Sequence, residues 1–149
     1  MYVGIIRPIS GWDRKALKKF SPFAPKHRRK LLREKTDQWG RSSVHCCAIR
    51  VGRGNKFTTS WSDSEGPQIG LGWPGMDNFE TGETTTFGML LDSDEGTLTM
   101  YQNGRNLGMI NSGLTGSYCW MVNLWGICGS TPQEVTMQME TPPRYRSMK

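Results

Sequence analysis

The sequence predicts an all-β fold of short antiparallel strands, and three observations carry that prediction. From Val44 onward, apolar and polar residues alternate with period two in one short run after another. Clusters of Gly, Asn, Asp and Ser separate those runs, as turns do. Helical composition is confined to two short basic runs, "RKALKKF" and "HRRKLLREK", and Pro22 and Pro25 in the intervening "SPFAP" prevent one continuous helix.

The best-defined strands lie between Phe87 and Ile110. "FGMLLD" puts Phe87, Met89 and Leu91 on one face, and "TLTMY" puts Leu98 and Met100 on one face with Thr97, Thr99 and Tyr101 opposite. "LGMI" is read as alternating Leu107 with Met109 on a third strand. Between the first two strands, "SDEG" has turn chemistry: Asp bonds its own backbone and Gly accepts positive φ. Asn103-Gly104 predicts a type I′ turn, so the three strands form a meander. "EVTMQME" is a final strand, with Val135, Met137 and Met139 inward and Thr136, Gln138 and Glu140 outward. The acidic residues of "LLDSDEGTLTMYQNGRNLG" therefore belong to a turn. A calcium loop starting at Asp92 would need Gly at its sixth position and Glu at its twelfth, where Thr97 and Asn103 stand.

With 149 residues the chain fits one domain, and six Trp, five Phe and four Tyr make it too aromatic for a disordered chain. Charged residues at 21% make it too polar for a membrane span. The start, "MYVGIIRPISGWD", lacks the basic region and cleavage site of a signal peptide, and the four cysteines show no CxxC spacing. We therefore expect reduced, buried thiols and an intracellular protein, cytoplasmic or nuclear.

No motif singles out catalytic residues. "GLGWPG" (Gly70 to Gly75) has glycine spacing suited to a dinucleotide turn, but Pro74 and the following "MDNFETGE" do not open a helix. The adjacent Cys46 and Cys47 would point to opposite faces of a strand, so "VHCC" reads as core and not as a zinc site. His27 and His45 are the two histidines, and there is no G-x-S-x-G elbow. The expectation is a non-enzymatic protein with no metal and no cofactor.

Charge is uneven. Arg14 to Lys35 holds ten Lys/Arg against Glu34, which is +9 of a chain whose total is +6, leaving −3 for the rest. Three readings of this segment stand side by side: a solvated, partly helical or disordered insertion at about 13–38; a two-part nuclear localisation signal; and a nucleic-acid contact. Arg14, Lys15, Lys26, Arg28, Arg29 and Lys30 carry the last two. Because its runs lack a sustained apolar face, the segment is expected to be dispensable for folding.

"GMLLDSDEGTLTMYQNGRNLGMINSGLTGSYCWMVNLWG" resembles the SPRY domain family, whose pattern is an apolar strand, LD-x-DEGTL, an aromatic-bearing strand, NG, LG and a further strand. "YVGIIRP" resembles that family's earlier VG strand, and "EVTMQM" its last one. The resemblance implies a β-sandwich of two antiparallel sheets, a concanavalin-like jelly roll, over residues 1–141 with a tail at 142–149. It also implies binding of a protein or peptide through edge loops. "LWGICG" is similar to the SPRY domains attached to SOCS boxes, which implies that Leu124, Trp125 and Gly126 line a peptide pocket. Trp125 can also be read as a cap on the core. The family has one or two strands before its VG strand, so self-association through an uncovered sheet edge is expected. The competing functional reading is a nucleic-acid-associated protein that binds through 14–35.

Overall fold

The computed structural model describes residues 1–9, 21–24, 27, 33–51, 54–60, 68–69, 84–123, 136 and 138. The chain is mostly β, in two antiparallel sheets. Strands β1 (Tyr2–Ile6), β2 (Val44–Arg50), β3 (Lys56–Ser60), β4 (Gln68–Ile69) and β8 (Cys119–Asn123) form a five-stranded sheet in the order β4-β3-β2-β1-β8. Strands β5 (Phe87–Asp92), β6 (Thr97–Gln102) and β7 (Arg105–Asn111) form the second, in the order β5-β6-β7.

The meander follows the sequence closely. Asn103 and Gly104 both have positive φ, 50° and 78°, which a type I′ turn requires at its two central residues. The Asp92 carboxylate accepts the amides of Asp94 and Glu95 at 3.0 and 2.9 Å, so the acidic stretch is a self-bonded turn. Leu98 and Met100 are fully buried, and Phe87, Met89 and Leu91 pack on the same cluster.

Strand β7 departs from simple alternation. Leu98 pairs with Asn111 and Thr99 with Met109, passing over Ile110; Met100 pairs with Gly108 and Tyr101 with Asn106, passing over Leu107. The two register shifts turn Leu107 and Ile110 toward the core and leave Met109 51% exposed. The expected Leu107/Met109 alternation is thus replaced by a Leu107/Ile110 pair, because each extra residue resets the pleat.

Strand β1 is hydrogen-bonded on both sides, to β2 and β8, and all five of its residues are buried. Val3 and Ile5 join Cys47 and Ile49 of β2 against Leu98, Met100 and Ile110 of the second sheet. On the opposite face, Tyr2 and Ile6 join Cys46 and Ala48 of β2, Phe57 of β3 and Met121 of β8. Cys46 and Cys47 are accordingly free core thiols on opposite faces, as their adjacency predicts. Gly4 sits where β1 and β2 run closest. A Cβ there would lie 2.1 Å from the Cys47 carbonyl oxygen and 2.6 Å from the Ala48 Cα, so only glycine fits.

The second face of the five-stranded sheet is covered by the connection from β1 to β2. Ile9 and Trp39 are buried in that cluster, and Phe23 packs against it. Trp39 closes a short 3-10 turn, Asp37–Trp39, and is fully buried. Where the basic segment is described, Phe23 packs against this cluster and Pro22 beside it is fully buried, single apolar residues in a stretch whose composition shows no sustained apolar face. "GLGWPG" lies outside the described residues. Of "EVTMQME" only Thr136 and Gln138 are described, and both are exposed, on the side expected to face outward.

Trp39→Ala tests this cover. Removing a fully buried indole is expected to cost about 3–5 kcal/mol, read as a fall in the urea midpoint at unchanged m-value.

Candidate functional site

Leu124, Trp125 and Gly126 lie outside the described residues, as do Arg14, Lys15, Lys26, Arg28, Arg29 and Lys30. The structure does place their neighbours. Strand β8 presents Trp120 and Val122 to the cluster shared with the second sheet and Met121 to the opposite cluster, as the period-two pleat requires. Its last residue, Asn123, pairs with Tyr2, so the chain leaves the described part of β8 level with Tyr2.

Tyr2 belongs to an aromatic group on that end of the sheet. Its ring meets Phe57 edge-on at 5.0 Å between centroids, and Phe23 lies 5.0 Å from Tyr2 and 5.3 Å from Phe57. Such tilted and edge-on geometries favour the ring quadrupoles. Phe23 is only half-buried, while Pro22 beside it is fully buried.

The other end of β1 carries a feature that sequence reasoning missed. Arg7 follows Ile6 directly and is fully buried. Its Nε donates to the Val44 carbonyl at 3.1 Å, Nη1 to the Ser117 carbonyl at 3.0 Å and Nη2 to the Ser42 carbonyl at 3.4 Å. The guanidinium carbon lies 3.7 Å from the centroid of the Tyr118 ring, a cation–π stack. The Tyr118 hydroxyl donates to the Val44 carbonyl at 3.1 Å, so the ring is anchored to the same strand end. Burial lowers the Arg7 pKa, and Tyr118 opposes that shift. The available signal was a cation inside the apolar run "GIIRPI", where a solvated charge is out of place.

A second set of bonds fastens the same loops. Thr115 Oγ1 accepts the amides of Arg41 and Ser42 at 3.0 and 2.8 Å, and the Ser117 amide donates to the Gln38 carbonyl at 2.8 Å. This clasp ties the end of the β1–β2 connection to the loop that leads into β8. It is structural: a cation surrounded by carbonyls and a ring holds loops together and has no open side to act on a substrate.

Three side chains with reactive chemistry are taken up in the core, while His27 and the free thiol of Cys119 are partly exposed. His45, Cys46 and Cys47 are fully buried. Burial pushes the Cys47 thiol up to about 11, against hydrogen bonds from Asn111 and Thr58, and raises Cys46 well above its ordinary value. Such thiols are poor nucleophiles. Among the described residues, no group of three or more His, Cys, Asp or Glu could hold a metal ion, and no helix is long and apolar enough to cross a membrane. Of the Lys and Arg residues of the basic segment, Arg33 and Lys35 are described; both are exposed and line an open depression together with Pro8, Ile9 and Glu34.

Comparison with protein-family models, with curated proteins and with solved structures finds no match for this chain.

Two outcomes are expected. Arg7→Lys keeps the charge but loses the planar fork that reaches three carbonyls, and should lower stability by about 2–3 kcal/mol in urea unfolding. The buried thiols should make the fold alkali-sensitive. An unfolded thiol releases its proton near its ordinary 9.0, whereas folded Cys47 keeps it to about 11. The unfolded state then binds fewer protons, so this contribution to stability is intact below 9.0 and is lost as pH rises toward 11. Urea midpoints measured below and within that window should fall with pH, and Cys47→Ala should flatten the fall.

Proposed function

We propose that the chain is a β-sandwich of SPRY type that serves as a non-enzymatic interaction module, gripping a short peptide or loop of a partner protein at one end of the five-stranded sheet. The observation that carries this reading is where the described chemistry sits. His45, Cys46 and Cys47 are sealed in the core, while Tyr2, one of a group of rings with Phe23 and Phe57, pairs with Asn123, the residue that precedes Leu124, Trp125 and Gly126 in sequence. Rings at a loop edge offer wide contact area at low entropy cost, the chemistry of peptide capture rather than of bond making. The two antiparallel sheets sharing one apolar cluster support the sandwich, and the Asp92–Gly96 and Asn103-Gly104 turns are those on which the resemblance rests.

Trp125 is the residue on which partner contact is proposed to depend. Trp125→Ala should reduce partner capture at least about tenfold with the urea midpoint nearly unchanged, as for a hot-spot truncation. A stability loss of about 3–5 kcal/mol would instead make Trp125 a core cap. Capture should also survive added salt. A fall in affinity of about 10³–10⁵ between low and moderate salt would point to phosphate contacts by the basic segment.

A further inference from the structure

We propose that the outer face of the three-stranded meander is a contact for a second copy of this chain, in which Leu90 of each copy meets Met109 of the other across a two-fold axis parallel to β6. It lies beyond the peptide-binding reading above and does not depend on it.

Residues directly opposite one another in antiparallel strands share a face, so the register defines this one. Leu90 pairs with Thr99 and Thr99 with Met109, which sets the three side by side across β5, β6 and β7. Leu98 and Met100, on either side of Thr99, are fully buried, so the row points away from the core. Leu90 is 43% exposed and Met109 51%, and these are the large apolar side chains left exposed among the described residues. Two strand spacings, about 10 Å, separate them. In the next row Tyr101 pairs with Gly88 and is half-buried, which adds a ring to the same face.

Met109 owes its position to the irregular pairing of β7. Unbroken alternation from Leu107, which packs on the core, would turn Met109 inward; the shifts that pass over Leu107 and Ile110 turn it outward. Bulges re-aim side chains at the expense of ladder bonds. The result here is a flexible thioether at the surface, able to fit itself to an opposing apolar side chain.

The face suits a copy of itself in charge and in symmetry. Its described residues include one charge, Asp92, whose carboxylate already accepts the Asp94 and Glu95 amides, although the chain as a whole is 21% charged. An opposing surface therefore needs no counter-charge. A two-fold axis parallel to β6, lying between facing sheets, places β5 of one copy over β7 of the other. Leu90 then meets Met109 twice, Thr99 meets Thr99, and Asp92 falls opposite β7 and not opposite itself. Such a contact is isologous and closes at two copies. Its strands run near-aligned, as in sheets packed face to face. Three strands by five residues span about 14 by 17 Å, roughly 250 Å² of footprint per copy. That is well below the about 800 Å² per partner of a stable dimer, so the association is weak, with a dissociation constant of about 10 μM to 1 mM.

Sedimentation velocity of the full chain, from low-micromolar to sub-millimolar concentration, is expected to show a monomer–dimer equilibrium that tightens as salt is added, because each copy carries +6 and the contact itself is uncharged. Met109→Lys and Leu90→Glu should each weaken the dimer at least about tenfold. The urea midpoint should stay unchanged in both, since both positions are exposed. An equimolar mixture of the two variants should associate more tightly than either alone, through one opposite-charge pair and one remaining Leu90 to Met109 contact. A chain that stays monomeric at the highest concentration would overturn the proposal. So would a dimer indifferent to both substitutions, the behaviour expected of pairing through a strand edge. A mixture no tighter than its components would overturn the two-fold pairing of Leu90 with Met109.

Discussion

Strand β1 is buried on both of its faces and bonded along both of its edges, and most of the architecture follows from that constraint. A strand of this kind cannot face water, so each side of the five-stranded sheet needs its own cover. The three-stranded meander supplies one through Leu98, Met100 and Ile110. Among the described residues, the other comes from Ile9, Phe23 and Trp39 of the β1–β2 connection. "YVGII" carries the requirement in its composition, since it is continuously apolar where a half-exposed strand would alternate. Gly4 belongs to the same constraint: with β1 this close to β2, a side chain there has no room.

The clasp around Arg7 shows how the sheet's second cover is held in place. Burying a guanidinium costs several kcal/mol unless its donors are used. Here the donors meet carbonyls of Ser42, Val44 and Ser117, and a tyrosine ring covers its face. Three carbonyl dipoles and the ring quadrupole supply negative potential around the planar cation. The arrangement joins the end of β1 to two other chain segments at once. It fixes the approach of the connection into β2 against the approach of the 114–118 loop into β8, and thus sets both flanks of β1 with one side chain.

Local signals were legible in the sequence and long-range ones were not. Turn chemistry at Asp92 to Gly96 and at Asn103-Gly104 is decided within a few residues, and both turns form as their residues imply. The faces of β5 and β6, the opposed thiols of Cys46 and Cys47, and the opposed Met121 and Trp120 follow from period two alone. Strand β7 breaks that rule at Leu107 and Ile110, because a bulge is a property of the pairing and not of one strand. Phe23 and Trp39 were hidden differently: each is one apolar residue in a polar or basic stretch, and its partner surface lies on other strands. Arg7 was visible as a charge in an apolar run, but its partners come from residues 35 to 110 positions away. Leu124, Trp125 and Gly126 rest on sequence resemblance, while the ring group of Tyr2, Phe23 and Phe57 emerges only from packing between distant parts of the chain.

The β1–β2 connection thus combines two kinds of contact that differ in depth. At its Trp39 end the anchor is fully buried, and the adjacent backbone is bonded to the 114–118 loop through Gln38, Arg41 and Ser42. At its Phe23 end the ring is half-buried against Tyr2 and Phe57, and Pro22 beside it is fully buried. Opening the Trp39 end would break core packing and the backbone bonds to the 114–118 loop together, so the fold's dependence on the connection is concentrated there.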